Sequence, residues 1–283
     1  MMVKSFSDNF NSSQENSLPH AISYQLTGGS CPTLYGPVKS RRHGVSLGVN
    51  LGQTENKICT WGCVYCQCGY GMRRDFDSQD QRPDAVLVLA QLKKALFSYP
   101  NVDSVTFAGN SEPTSHPEFG TIARGVMKLK TAMRAKWIVN VLSNGSELDR
   151  PEVVSGLNLL DEAWIKLDCG LDDEFRRLSR PLPRIGSVES HVLRIRNLKQ
   201  PRLQTLLWEH ESRPELSNAS QENLDALIGR YEQIKPVSIH LTTVSRAPAT
   251  SGIIPLSRKR LEDFSKEILN RGHWVTTYSE EGA

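Results

Sequence analysis

No run of eighteen apolar residues occurs in this 283-residue chain, which excludes a membrane-spanning helix. The opening segment, MMVKSFSDNFNSSQENS, has no apolar core, so a secretory signal is not expected. Both absences point to the cytosol, where six cysteines are expected as metal ligands or free thiols rather than disulfides. A strong charge of one sign is missing too: 34 Lys and Arg face 31 Asp and Glu, a net +3. That balance permits contact with a nucleotide or nucleic acid without demanding it. No internal repeat and no long low-complexity tract is visible. At 38% hydrophobic residues the chain can build one sizeable core.

Zinc-type pairing is also absent. After Cys68 the next cysteine is Cys169, and no H-x3-H follows. Zinc sites usually join a C-x2-C pair to a second pair or to histidines downstream. What the chain has instead is Cys59, Cys63 and Cys66 in KICTWGCVYCQCG, spaced C-x3-C-x2-C. Three thiolates cover three corners of a 4Fe-4S cluster and leave one iron open. Full cysteine ligation suits electron transfer; an open iron can bind and reduce a small molecule. Tyr65, directly before the third cysteine, would shield one face of the cluster.

This spacing, with an aromatic before the last cysteine, resembles the radical S-adenosylmethionine (SAM) superfamily. The stretch TFAGNSEPTSHPEF, 106–119, is similar to the superfamily segment that recognises the methionine end of SAM. In order, SRRHGVSLGVNL, CVYCQCG, GNSEPTSHP, VLSNGS, WIKLD and HLTTVSR resemble the group containing the wyosine-base synthases and related iron–sulfur oxidoreductases. The likeness runs from about residue 40 to about 268, most of the chain. It implies a cluster that cleaves SAM to methionine and a 5′-deoxyadenosyl radical, which takes hydrogen from a substrate. The protein then supplies position and exclusion of water. It also implies an outside reductant such as flavodoxin or ferredoxin.

Strands are expected at 45–51, 102–107, 137–142, 162–167, 203–208 and 237–243, each short and rich in β-branched or aromatic residues. Helices are expected between them at 83–98, 117–133, 150–159, 172–179 with 187–198, 220–233 and 257–270. Six βα units predict an α/β fold, an open partial (βα)6 barrel with parallel strands. Residues 1–43 are expected as an N-terminal arm and cap, and 44–283 as the barrel with a C-terminal tail. The cap and the tail around Trp274 and Tyr278 are expected to close the mouth in part. Segment 209–219 is expected as an exposed loop.

Ligands of such barrels bind at the C-terminal strand ends, and the motifs fall there. Gly109 and Asn110 form a close turn, Glu112 can accept from the SAM ammonium group, and Pro113 stiffens it. Ser111 stands where the family usually has a second glycine. Ser143 and Asn144 suit ribose hydroxyls, or an ordinary turn. Lys166 and Asp168 share a sheet face and can reach SAM or substrate, or pair with each other. Thr242 joins the SAM contacts. Arg246 is a candidate clamp for a substrate carboxylate or phosphate, and His240 a candidate lumen residue or a core histidine. Cys31, Cys68 and Cys169 are candidates for a second iron–sulfur cluster or for three unrelated thiols. The substrate is expected to be a small metabolite or nucleotide. Modification of a tRNA base is the alternative, to be told apart by salt-dependent tRNA binding. A non-catalytic iron–sulfur carrier or sensor is the further alternative.

Overall fold

The computed structural model describes residues 32–52, 57–69, 71–75 and 82–279. The expected arm and Cys31 lie outside the described residues.

Eleven strands are described: β1 Leu34–Ser40, β2 Gly44–Val49, β3 Ile58–Cys59, β4 Met72–Arg73, β5 Ser104–Phe107, β6 Ile138–Ser143, β7 Glu162–Lys166, β8 Arg202–His210, β9 Ser238–Thr243, β10 Ile253–Pro255 and β11 Val275–Tyr278. The helices are α1 Ala85–Ser98, α2 Phe119–Ala132, α3 Pro151–Leu157, α4 Asp172–Glu174, α5 Val188–Ile195, α6 Gln221–Ile234 and α7 Arg258–Asn270. All six expected strands are present within a few residues, and so are their helices.

The main sheet runs β1-β2-β5-β6-β7-β8-β9-β11, and every neighbour from β2 onward is parallel. The sheet is a curled, mostly parallel half-barrel, as expected. Helical crossovers join these parallel neighbours in chain order. Helix starts are well specified: Asp84, Ser187, Ser220 and Ser257 each accept a backbone N–H in the first turn of α1, α5, α6 and α7.

Three differences from the sequence expectation have clear causes. Residues 34–40, expected within a cap, form an antiparallel edge strand on β2. The tail at 275–278 adds a parallel strand to β9, with Trp274 66% exposed. Segment 209–219 is only partly a loop. β10 pairs back onto the end of β8, and Asn218 is buried, with its side chain bonded to Trp208 N and the Asp168 carbonyl.

The two faces of the sheet differ in chemistry. Val105, Phe107, Val139, Val141, Ile165, Leu203, Ile239 and Leu241 are fully buried against the helices. Alternate residues in the same registers are Thr106, Asn140, Glu162, Trp164, Gln204, His240 and Thr242, which face the lumen. A parallel sheet covered on both faces by apolar packing reads as continuous apolar runs. Here alternation marks a polar interior.

Candidate functional site

The cysteine loop follows β2 and is held from below. Gly62 N donates to the carbonyls of Ser179 and Arg180, Val64 N to Leu178 O, and Leu182 N to Thr60 O. The backing segment, 175–179, is a single π-type turn that ends at Arg180 in the left-handed region, φ 48°. Loop 244–252 covers the other side, where Ala249 N donates to Cys66 O at 3.2 Å. Nothing in the sequence motifs marks either support.

Cys63 is buried, and Cys59 and Cys66 are partly exposed. Burial pushes the Cys59 thiol up to about 12 and Cys63 to about 11. Cys66 is held well below the ordinary thiol value, first by a hydrogen bond from Cys68. No group of three or more His, Cys, Asp or Glu side chains among the described residues is arranged for a single metal ion. A cubane differs in offering each thiolate its own iron. Three cysteines on one loop, with a lysine and an amide close by, fit that donor set.

Glu112 is the hub of the next rim segment. It is 4% exposed, and Oε1 accepts from Thr114 N, Thr114 Oγ1 and Ser143 Oγ at 3.0, 2.6 and 2.6 Å. Oε2 accepts from Asn144 N at 2.7 Å. Burial raises its pKa, and these donors work against the rise. Glu112 thus fastens the turn after β5 to the end of β6. Asn144 completes the connection, with Nδ2 2.9 Å from Thr60 Oγ1 and 3.7 Å from Cys59 Sγ. Gly109 leaves room for Asn50, whose Oδ1 lies 2.2 Å from where a Cβ would sit. Ser111 is accommodated by a second glycine elsewhere: its Oγ occupies the place of a Cβ on Gly52. Asn110 is buried beside it and lies 3.3 Å from Ser111 Oγ.

The ends of β7 and the cysteine loop meet at Tyr65. Its hydroxyl donates to Asp168 Oδ2 at 2.5 Å, and its ring packs on Trp208 with centroids 4.6 Å apart. Lys166 Nζ sits 4.5 Å above that ring and 3.6 Å from Asp168 Oδ2. Asp168 Oδ1 accepts from Leu206 N at 2.8 Å. So Lys166 and Asp168 do pair, and the pair fixes Tyr65.

Of the other predicted residues, Thr242 is buried in the lumen, with Oγ1 3.5 Å from Thr205 O. Arg246 is exposed and donates to Gln67 Oε1 at 3.3 Å, next to the cysteine loop. Cys68 contacts Gly109 O at 3.6 Å, whereas Cys169 is fully buried in the core. The described residues do not gather these two thiols into one site.

His240 lies deeper, stacked on Trp164 with centroids 3.3 Å apart and its Nε2 3.4 Å from the Tyr278 hydroxyl. Among the described residues, the buried atoms His43 Nε2, His240 Nδ1, Arg42 Nη1 and Asn140 Oδ1 and Nδ2 have no hydrogen-bond partner. Sequence reasoning missed Asn140, although its place in the IVNVLS alternation marks it as facing inward.

These buried imidazoles set a pH dependence. Burial is the main cause that lowers His43 and His191 to about 4 and His240 to about 2. In the unfolded chain they take up protons near pH 6.5. Their folded pKa is depressed, so stability is complete above that value and is lost as pH falls toward 4. Glu174, pushed up to about 7 by burial, and Glu112 act in the opposite sense. Three lowered histidines against two raised glutamates leave a net of about one proton between about pH 6 and 5, a slope of roughly 1.4 kcal/mol per pH unit there. Urea midpoints measured between neutral pH and about pH 5 are expected to fall; constant midpoints would contradict the balance.

No protein-family model matches the chain. It is 26% identical over 265 residues to the GTPase Obg of Brachyspira hyodysenteriae, covering 90% of this chain and 36% of that protein. It is 36% identical over 152 residues to a UPF0026 protein of Synechocystis, covering 53% of this chain and 54% of that protein. The chain thus spans about half or less of these two relatives. It has no G-x4-G-K-[ST] phosphate loop, so nothing of the first name is carried over. Among solved structures, it resembles a radical SAM methyltransferase from Sphaerobacter thermophilus, with TM-score 0.56 and 15% identity over 84% of this chain and 67% of that one. Streptococcus suis SuiB bound to S-adenosylmethionine gives TM-score 0.56 at 15% identity, covering 80% and 49% of the two chains. Archaeal TYW1 gives 0.50 at 14%, covering 80% and 72%. The chain therefore has the fold of these radical SAM structures.

Proposed function

From that fold and its three-cysteine loop, we propose a radical SAM enzyme acting on a small polar metabolite or nucleotide-type substrate. The observation that carries the reading is the joining of separate rim segments at one point. Asn144 touches Cys59, Glu112 holds Asn144, and Tyr65 links the loop to Asp168. Cys59, Cys63 and Cys66 would hold the cluster, which would supply the electron for reductive cleavage of SAM.

The chain's own residues do the positioning. Glu112 and Ser143 keep the Ser143-Asn144 turn in place beside the cluster loop. Tyr65 and Trp208 exclude water from one side of that loop. Lys166, partly exposed at the lumen, offers an ammonium group to an anionic part of SAM or substrate. The polar lumen favours a small molecule: Asn140 and the Nδ1 of His240, which have no hydrogen-bond partner among the described residues, suit a polar ligand more than an inert core. Arg246 beside the loop is the candidate outer clamp. No helix among the described residues is long and apolar enough to cross a membrane. A cytosolic one-electron donor such as flavodoxin or ferredoxin is the reductant this chemistry asks for.

Reductive SAM cleavage tests the reading. The protein is reconstituted anaerobically, reduced with dithionite, and assayed for 5′-deoxyadenosine and methionine. A cluster serving only electron transfer or sensing would give neither product and would not bind SAM.

A further inference from the structure

Lys57 is charged, two residues ahead of the first cluster cysteine, and only 8% exposed. A lysine is rarely so buried unless its charge is paired. Among the described residues no carboxylate pairs with it. Its Nζ donates to Gly69 O at 2.7 Å, just past the cysteine loop. Its backbone is fixed as well: Lys57 O accepts from Met72 N at 2.8 Å, and β3 pairs with β4 immediately beyond it. Gly71, at φ +55°, lies so close that a Cβ there would stand 2.5 Å from Lys57 O and 2.6 Å from Lys57 Cβ. Gly69 N in turn donates to Cys66 O at 3.2 Å, so one buried ammonium is held against the backbone of the cysteine loop.

We propose that Lys57 is the internal counter-charge of the cluster and sets its reduction potential. Resting on the cluster reading of the three cysteines, this goes beyond it by assigning a residue that no cysteine motif includes. Reduction adds one electron from the external donor to a centre that already carries thiolate charge. A fixed ammonium in a poorly solvated loop favours the more negative, reduced state. Lys57 gains and loses no proton in the step; its work is electrostatic. Gly69 O and the β3–β4 pairing hold the charge in place so that no reorganisation is needed.

The test is a redox titration of the full chain, followed by the electron paramagnetic resonance signal of the reduced cluster, with iron and sulfide assayed on each sample. Lys57→Met keeps the length and removes the charge; Lys57→Arg keeps the charge. The Met variant is expected to shift the reduction equilibrium at least tenfold against the reduced state, which is 59 mV for one electron. The Arg variant is expected to restore most of that shift. Equal potentials in wild type and Met variant at equal iron content would overturn the proposal. So would loss of the cluster in both variants from folded protein, because that outcome makes Lys57 a packing residue. Loss in the Met variant alone supports the counter-charge, acting at assembly. Wild-type protein without a 4Fe-4S signal would instead defeat the cluster reading itself.

Discussion

Cys63→Ala removes reductive SAM cleavage. Production of 5′-deoxyadenosine is expected to fall by at least ~10³-fold, equal to roughly 4 kcal/mol of barrier. The reason is positional as well as chemical. Cys63 is the buried member of the three and lies beside Lys166 and Asp168, whose charges act on its thiol. Alanine deletes one of the three proposed iron ligands, and Cys169, locked in the core, cannot replace it. Cys68→Ala is the control, expected to keep its iron and its product. Quantifying 5′-deoxyadenosine together with iron separates the two outcomes. Full product from the Cys63 variant would remove the cysteine loop from the mechanism.

Asp168→Ala is the change expected to cost the fold most among the rim residues. Its side chain is fully buried, and it holds three groups at once: the Tyr65 hydroxyl, the Lys166 ammonium and Leu206 N. Alanine leaves Lys166 without its partner beside a buried phenol and an unmade backbone bond. Breaking a buried pair on one side costs about 3–5 kcal/mol, and the loss is expected at the lower end here because Lys166 keeps some solvent contact. Asp168→Asn retains the size and an acceptor and is expected to lose about half as much. Urea unfolding of the three proteins measures this directly. Equal midpoints would mean that Tyr65 and Lys166 find other partners, and the account of how the loop meets β7 would fail.

Much of the scaffold was legible because its signals are local. β-branched runs such as IVNVLS and SIHLTT, separated by helices with Asp or Ser caps, can only alternate into a parallel sheet with outer helices. The cysteine spacing is equally local, since one loop carries all three. The edge strands were harder. Residues 34–40 contain a Gly-Pro pair that reads as a turn, and 275–278 are too short to stand out; each becomes a strand only because an unpaired sheet edge lies beside it. Segment 209–219 is polar and reads as exposed, yet Asn218 is buried because it supplies hydrogen bonds that β8 and Asp168 lack.

The sequence by itself determined the fold class, the cysteine spacing and the rim segments, because periodicity and spacing are properties of neighbouring residues. Tertiary structure decided how those segments are joined. Glu112, read as an open acceptor, is shared among three residues of two rim segments. Ser111 fits because Gly52 gives it room. Lys57 becomes a buried ammonium held on the cysteine loop once β3 meets β4. Such properties depend on burial and on partners distant in the chain, so charge, spacing and composition do not contain them.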